Sequence, residues 1–247
     1  MGFRSEAGIQ AILLDIDGTL YPKRMLNFRM LRSAFPSLVV AMQYNRMRKE
    51  IRRLQSLEPT VPATLEGFRR RQASIILDAG RKLVPEEEYR RVEGRLERQF
   101  YDRWPRYFAS IKPFPYLREA LVEATAQGLR LGVLSDFPVA DKLKTLGVDD
   151  LVEYACCAEE SGYLKPHPAP FVYILDHMGL SPQDVLFVGD SYDKDIEGAH
   201  GVGMRTCLLK PGYGNGQRHG AVAWRKYPSA DLVCGSWLEF SERVLRS

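Results

Sequence analysis

Residues 9–20 read IQAILLDIDGTL, and this stretch decides the fold. Its apolar first half is typical of a short strand buried in a parallel sheet, and the strand ends at Asp15. Asp15 and Asp17 lie on the same side of an extended chain, whereas Ile16 between them points into the core. Gly18 permits a tight turn after the second carboxylate. The stretch therefore places two carboxylates at the carboxyl end of a buried strand.

From residue 113 onward, the sequence predicts alternating strands and helices. The helical patterns end at glycines, among them Gly128, Gly147 and Gly179. The later strands are predicted over residues 129–134, 154–158, 185–188, 205–209 and 231–234. This alternation indicates an α/β fold with a mostly parallel sheet and helices on both faces.

Residues 21–112 differ from the rest of the chain in pattern and in charge. They show helical periodicity, with helices predicted from about residue 28, from residue 64 and from Pro85, and a break near Phe35 before Pro36. They contain 21 Lys and Arg against 10 Asp and Glu, whereas the rest of the chain contains 14 against 21. We therefore expect a basic, all-helical domain, residues 21–112, inserted into a core formed by residues 1–20 and 113–247.

The overall composition is that of an ordinary globular protein, with 45% hydrophobic and 27% charged residues. No apolar run approaches the roughly 20 residues of a membrane span, so we expect a cytoplasmic protein without membrane contact. The four cysteines (Cys156, Cys157, Cys207, Cys234) have no metal-ligand spacing, and we interpret them as buried, reduced thiols. The four histidines likewise have no supporting pattern and are interpreted as structural or exposed.

Polar side chains follow four of the predicted strands. Asp15 and Asp17 follow the first, Ser135 and Asp136 the second, and Lys165, in YLKPHP (163–168), the third. The fourth is followed by VGDSYDKD (188–195), which carries Asp190 and Asp195. Open α/β sheets bind ligands at the carboxyl ends of their strands, so we expect these groups to converge.

These four segments resemble, in order and in residue type, the four motifs of the haloacid dehalogenase-like hydrolase superfamily. The resemblance covers residues 11–22 and about 113–210. It implies a Rossmann-like, three-layer core in which residues 21–112 form a helical cap over the site. It also implies a Mg²⁺-dependent phosphatase of the phosphoglycolate phosphatase or nucleotidase kind, which hydrolyses a small phosphorylated metabolite through an aspartyl-phosphate.

The resemblance gives each motif residue an expected role. Asp15 is similar to the nucleophile, Asp17 to the general acid and base, Ser135 to the hydroxyl that binds the phosphoryl group, and Lys165 to the cation that neutralises it. The expected Mg²⁺ ligands are Asp15, the carbonyl oxygen of Asp17, Asp190 and Asp195. An all-oxygen donor set suits that ion. Asp193 lies between the last two and is interpreted as a helix N-cap.

One motif departs from the family pattern, because Asp136 stands where the family usually has Asn. An extra carboxylate beside a dianionic substrate is electrostatically unfavourable, so we assign Asp136 no role. The basic runs 46–53 and 69–71 could bind an anionic substrate or nucleic acid. We interpret them instead as solvated helix faces and do not expect a nucleic-acid partner.

Three other functions remain open from the sequence, one of them a phosphomutase, although the cap loop usual in that class is not recognisable here. A haloacid dehalogenase shares the fold and the aspartate nucleophile, but that chemistry leaves Asp17, Asp190 and Asp195 unexplained. A noncatalytic binding protein on the same fold should have lost a catalytic residue, and none is lost. The sequence does not identify the substrate, the cap residues that select it or the oligomeric state.

Overall fold

A parallel six-stranded sheet forms the centre of the molecule. The computed structural model describes residues 8–24, 38–57, 64–77, 84–102, 108, 111–211 and 226–246. The strands have the order β3-β2-β1-β4-β5-β6, and every pairing is parallel. The strands are β1 (Ala11–Leu14), β2 (Arg130–Ser135), β3 (Tyr154–Cys157), β4 (Val185–Gly189), β5 (Arg205–Leu209) and β6 (Leu232–Cys234).

The sheet is covered on both faces, because its strands carry apolar side chains on each of the two faces. Ile12 and Leu14 of β1 pack into one apolar cluster, while Ala11 and Leu13 pack into a second cluster on the other side. All four residues of β1 are fully buried, as expected for the centre of a parallel sheet. The result is the three-layer arrangement predicted from the alternating pattern.

Helices supply the outer layers. The first cluster includes residues of α4 (Leu117–Ala126), α5 (Ala140–Leu146) and α8 (Trp237–Phe240). The second cluster contains residues of α6 (Pro168–Met178) and of the short α7 (Glu197–Gly201). Two predicted helices are partly π-helical: Tyr192–Ile196 precedes α7, and Ser241–Leu245 continues α8.

Between β1 and α4, the regular secondary structure that the described residues form is helical. It contains α1 (Leu38–Gln55), α2 (Leu65–Leu77) and α3 (Glu86–Leu96), the last of which continues as a π-helical turn over Glu97–Tyr101. We call the described residues from 38 to 102 the helical insert. The insert has its own apolar cluster, to which the core contributes Leu164. Met42 on α1 is 65% exposed.

The break expected near Phe35, the side chain of Phe100 and most of the Gly-rich stretch near residue 215 lie outside the described residues. Pro85 stands directly before α3, and Glu86, Glu87 and Glu88 fill its first turn, as predicted. Within the described ranges, no helix is both long and apolar enough to cross a membrane. All four cysteines are buried and free.

Candidate active site

The strand order brings the predicted site residues together. β1 lies between β2 and β4, and the chain runs outward from β1 in both directions, so the order reverses there. Such a switch point leaves a crevice at the carboxyl ends of the strands. Asp15, Ser135 and Asp190 each lie at or just beyond the end of one of these three adjacent strands.

Asp15 is held by contacts to both of its carboxylate oxygens. The Lys165 ammonium donates to Oδ1 at 2.8 Å, and the Thr19 hydroxyl donates to Oδ2 at 3.1 Å. The Thr19 carbonyl in turn accepts a hydrogen bond from the indole of Trp237 at 3.0 Å, which ties this turn to α8. Burial raises the pKa of Asp15 to about 6, against the opposing effect of Lys165.

Lys165 is the cation at the centre of this cluster. Its Nζ lies 2.8 Å from Asp15 Oδ1, 2.6 Å from Asp195 Oδ1 and 3.1 Å from the carbonyl of Leu134. Burial alone would lower the pKa of this ammonium, but Asp15 and Asp195 outweigh it and raise the pKa overall. Lys165 is therefore a fixed positive charge directly beside Asp15.

Asp15, Asp190 and Asp195 form an acidic cluster in which one oxygen of each carboxylate lies within 4.8 Å of the others. Three convergent carboxylates on a rigid sheet edge fit a hard divalent cation such as Mg²⁺. Burial and the neighbouring Asp15 raise the pKa of Asp190, although the ammonium of Lys23 contacts its two oxygens at 2.7 and 2.8 Å. The cluster is thus short of positive charge.

Gly18 is required by this packing as well as by its turn. Its φ of 104° lies in the left-handed region, and a Cβ there would lie 2.7 Å from Asp190 Cγ. Only glycine avoids both problems. Ile16, expected to point away from the site, is fully buried in the first apolar cluster.

Asp17 points to a different set of partners. Lys142 Nζ donates to its two oxygens at 2.9 and 2.8 Å, Ser135 Oγ donates to Oδ2 at 3.1 Å, and the Tyr21 hydroxyl donates to Oδ1. Burial would raise the pKa of Asp17, but Lys142 outweighs it and the pKa is lowered. Asp17 is therefore held as a carboxylate, and Ser135 contacts Asp17 in this structure.

Asp136 is engaged by two arginines of α1. The Arg52 guanidinium donates to Asp136 Oδ2 at 2.6 Å, and Arg48 donates to the Asp136 carbonyl at 2.7 Å. Burial would raise the pKa of Asp136, but Arg48 and Arg52 outweigh it and hold the pKa below its usual range. Arg48 also pairs with the fully buried Glu159, which accepts a further bond from Arg69 at 2.6 Å. We call Arg48, Arg52, Arg69, Asp136 and Glu159 the charged seam.

A family model described as haloacid dehalogenase-like hydrolase matches residues 9–203. The chain belongs to this family. A glyceraldehyde 3-phosphate phosphatase of Methanopyrus kandleri is 29% identical over 209 residues, which cover 83% of this chain and 85% of the relative. A phosphoglycolate phosphatase of Escherichia coli K12 is 31% identical over 142 residues, covering 54% and 53% of the two chains.

Solved structures of the haloacid dehalogenase-like type share the fold. A phosphatase from Thermococcus onnurineus aligns with a TM-score of 0.57 at 22% identity, covering 95% of this chain and 97% of its own. A 2-haloacid dehalogenase from Pseudomonas syringae aligns with a TM-score of 0.58 at 23% identity, covering 96% and 99%. Both alignments support the Rossmann-like core of a haloacid dehalogenase-like hydrolase.

Two interpretations made from the sequence were wrong. Asp136 has a role as the partner of Arg48 and Arg52, so its charge is neutralised by the insert. The run 46–53 is not simply a solvated face: Arg48 is 2% exposed and Arg52 also contacts the core, while Arg46, Lys49 and Arg53 face solvent. A linear charge run does not show which helix face meets another domain.

Lys142 was missed, and no motif could have identified it. It lies on α5, and its ammonium is close to Asp17 and to the rings of Phe108 and Phe137, at 4.7 and 5.5 Å from the ring centroids.

Asp193 is exposed and lies inside the π-helical turn Tyr192–Ile196, whereas Ser191 takes the N-cap position, so the N-cap interpretation of Asp193 was wrong. His167 is structural as predicted: its Nδ1 accepts the Ala169 amide at 3.1 Å at the start of α6.

The crevice beside Asp15 is small. A cavity of about 40 Å³ is lined by the acidic cluster together with Asp17, Lys23, Asp136, Phe137, Lys165, Ser191 and Lys194. That is little more than the space of one water molecule in the liquid. A larger groove of about 780 Å³ lies between α2 and α3, but its charged residues are mixed in sign and include none of the motif residues. The motif residues Asp15, Asp17, Lys165, Asp190 and Asp195 therefore line the small cavity and not the larger groove.

Proposed function

We propose that this haloacid dehalogenase-like hydrolase is a Mg²⁺-dependent phosphatase in which Asp15 attacks phosphorus. The observation that carries the proposal is the setting of Asp15, whose oxygens are bonded by Lys165 and Thr19 and which lies beside Asp190 and Asp195. A phosphoryl group needs a nucleophile and charge neutralisation on its oxygens, and this arrangement can provide both.

In the first step, an Asp15 oxygen forms a bond to phosphorus while the bond from phosphorus to the leaving oxygen breaks. The leaving oxygen takes a proton from Asp17, and Asp15 becomes an aspartyl-phosphate. In the second step, water attacks phosphorus, Asp17 accepts the proton of that water, and the Asp15 carboxylate is released with inorganic phosphate. The lowered pKa of Asp17 favours the carboxylate that accepts the proton in this second step, and it opposes the protonated form that the first step requires.

The carboxylates of Asp15, Asp190 and Asp195, with the carbonyl oxygen of Asp17, would hold the Mg²⁺ ion. When bound, Mg²⁺ supplies positive charge to the carboxylate cluster and to the phosphoryl oxygens. Lys165 adds a fixed positive charge that is bonded to Asp15 and Asp195. Lys23 would have to release Asp190, because a bonded ammonium and a metal ion compete for the same oxygens.

The substrate we propose is a small phosphorylated metabolite. Relatives named for glyceraldehyde 3-phosphate and phosphoglycolate support this size class. We further propose that residues 21–112 act as the cap over the site. Arg48, Arg52 and Arg69 are committed to core carboxylates, which argues against a nucleic-acid surface there.

The test is hydrolysis of p-nitrophenyl phosphate by the purified full chain, with and without added Mg²⁺. Asp15→Asn should lower kcat by roughly 10³-fold or more, since it removes the nucleophile. The matched control is Asp176→Asn, which alters an exposed carboxylate on α6 and should leave kcat unchanged. Radiolabelled phosphate trapped on the wild-type chain, and released by hydroxylamine, would identify the aspartyl-phosphate.

The dehalogenase alternative is separated in the same assay. A 2-haloacid supplied in place of the phosphate ester should release no halide, because that reaction gives no function to Asp17, Asp190 or Asp195. Halide release without phosphate release would overturn the phosphatase proposal. A wild-type chain that hydrolyses neither substrate class, across a panel of phosphorylated metabolites, would favour a noncatalytic binding protein.

A further inference from the structure

The backbone of Lys165 is held from both sides by charged side chains. Its amide donates to Asp136 Oδ1 at 3.3 Å, and its carbonyl accepts from Arg52 Nε at 3.0 Å. Arg52 and Asp136 are bonded to each other at 2.6 Å. Arg52, Asp136 and the Lys165 backbone thus form a closed triangle, which we call the Lys165 clamp.

The two side chains of the clamp come from different parts of the molecule. Asp136 follows β2 in the core, whereas Arg52 lies on α1 of the helical insert. Arg48, four residues earlier on α1, lies on the same helix face and binds the Asp136 carbonyl. The clamp therefore closes only while α1 is docked against the core.

Both charges of the clamp are needed for this geometry. An Asn at position 136 could still accept from the Lys165 amide, but it would offer no charge to Arg48 and Arg52. A Lys at position 52 carries one donor atom on a flexible stem, whereas Arg52 reaches the carbonyl and the carboxylate with two nitrogens of one rigid plane. This accounts for Asp136 where the family usually has Asn.

We propose that Arg52 is a positioning residue that makes the placement of Lys165 depend on the docking of the helical insert. The inference rests on the proposed function, in which Lys165 is the catalytic cation. Undocking of α1 removes one of the two side chains that fix the Lys165 peptide. Because Lys165 Nζ must stay near 2.8 Å from Asp15, release of its backbone lowers the fraction of correctly assembled sites. The site is then complete only when it is also closed.

The experiment compares the wild type, Arg52→Gln and Arg52→Lys, with Arg53→Gln as the matched control. Arg53 is the neighbouring arginine on α1, but it is exposed and pairs with Glu50 of the same helix. Arg52→Gln should lower kcat for p-nitrophenyl phosphate by about tenfold or more, with KM changed by less than about threefold. The kcat of Arg52→Lys should lie between those of Arg52→Gln and the wild type, and the kcat of Arg53→Gln should equal that of the wild type.

A second measurement does not depend on activity. Hydrogen–deuterium exchange of the Lys165 amide should become faster by about tenfold or more in Arg52→Gln and stay unchanged in Arg53→Gln. Asp136→Asn should accelerate the exchange of the Lys165 amide as well. In the double variant, the exchange rate should increase by less than the product of the two single increases, because both substitutions act through one clamp. If Arg52→Gln does not fold, the exchange rate of the Lys165 amide in Asp136→Asn is the test instead.

Three results would overturn the clamp. One is an increase in KM at unchanged kcat, which would make Arg52 a substrate contact. The others are unchanged exchange at Lys165, or unchanged kcat in folded Arg52→Gln protein. Failure of the proposed function gives a different result, since the wild type itself would then lack Mg²⁺-dependent hydrolysis or Asp15→Asn would retain it.

Discussion

The acidic cluster and the charged seam are both buried and both built from ion pairs, yet their charges are balanced in opposite ways. At the acidic cluster, burial and crowding raise the pKa of Asp15 and Asp190 despite Lys165 and Lys23. In the charged seam, three arginines face two carboxylates, and the pKa of Asp136 is lowered. The first region needs a further cation, and the second does not.

This difference teaches which buried charges indicate a binding site. Burial of ionised groups is costly in both regions, and a partner of opposite charge offsets that cost. The charged seam is neutralised by the protein itself, so it can serve to join the insert to the core. The acidic cluster is left with unfavourable electrostatics that a ligand can relieve, which is typical of functional sites.

The largest effect on stability is expected from breaking the charged seam at Glu159. This fully buried carboxylate accepts from Arg48, Arg69 and Tyr101. Glu159→Gln removes the buried carboxylate that pairs with both Arg48 and Arg69, so the free energy of unfolding in urea should fall by about 3–5 kcal/mol. Glu119→Gln, on the exposed face of α4, should show no measurable change. Equal stability of the two variants would mean that the seam contributes nothing to the fold.

A somewhat smaller effect, on catalysis, is expected from Lys142→Met. Methionine keeps the apolar contact with Phe108 and Phe137 but no longer holds the two oxygens of Asp17. The misplaced proton carrier should lower kcat by about 10²-fold, a barrier increase of about 3 kcal/mol, at similar KM. Lys144→Met, on the exposed side of the same helix, is the control. A wild-type kcat for Lys142→Met would remove Lys142 from the mechanism.

In the acidic cluster, removal of a charge should stabilise the metal-free protein. The pKa of Asp15 is raised from 3.8 to about 6, so its ionisation opposes folding at neutral pH. The penalty is fully present above pH 6 and absent below about pH 4, where Asp15 is protonated in both the folded and the unfolded state. Asp15→Asn should therefore be more stable than the wild type by up to about 3 kcal/mol at pH 7.5.

The control for this prediction is pH itself, because the stability difference between Asp15→Asn and the wild type should shrink as pH falls from 6 to 4. Thermal unfolding in chelator-containing buffer measures it at each pH. A destabilised Asp15→Asn, or a difference independent of pH, would show that Lys165 already compensates the charge of Asp15.

The smallest expected effect is stabilisation of the wild type by Mg²⁺. At an ion concentration ten times the dissociation constant, binding adds about 1.4 kcal/mol, which raises Tm by a few degrees. Asp190→Asn should reduce this shift because it removes one ligand of the acidic cluster, whereas Asp193→Asn, an exposed neighbour, should retain it. The same shift in both variants would argue against a metal site at the cluster.

Much of the core and of the site could be predicted from the sequence. The five later strands were located to within one residue at each end, because a buried parallel strand is a continuous apolar run with polar residues directly after it. The first strand, β1, begins two residues later than predicted. The π-helical turns near α7 and α8 were not predicted, since such turns have the same apolar pattern as α-helix. The roles assigned to the motif residues stay predictions until the variants are measured.

The sequence by itself determined that Asp15, Lys165, Asp190 and Asp195 come together. Parallel strands all end at one edge of their sheet, so residues that follow them converge whatever the remaining packing. Only the tertiary structure decided that Lys142 binds Asp17 and that Arg48 and Arg52 bind Asp136. Those pairs join elements that are 84 to 125 residues apart, and they depend on which face each helix turns toward the core. A one-dimensional pattern records the charges of such helices but not the angle at which they dock.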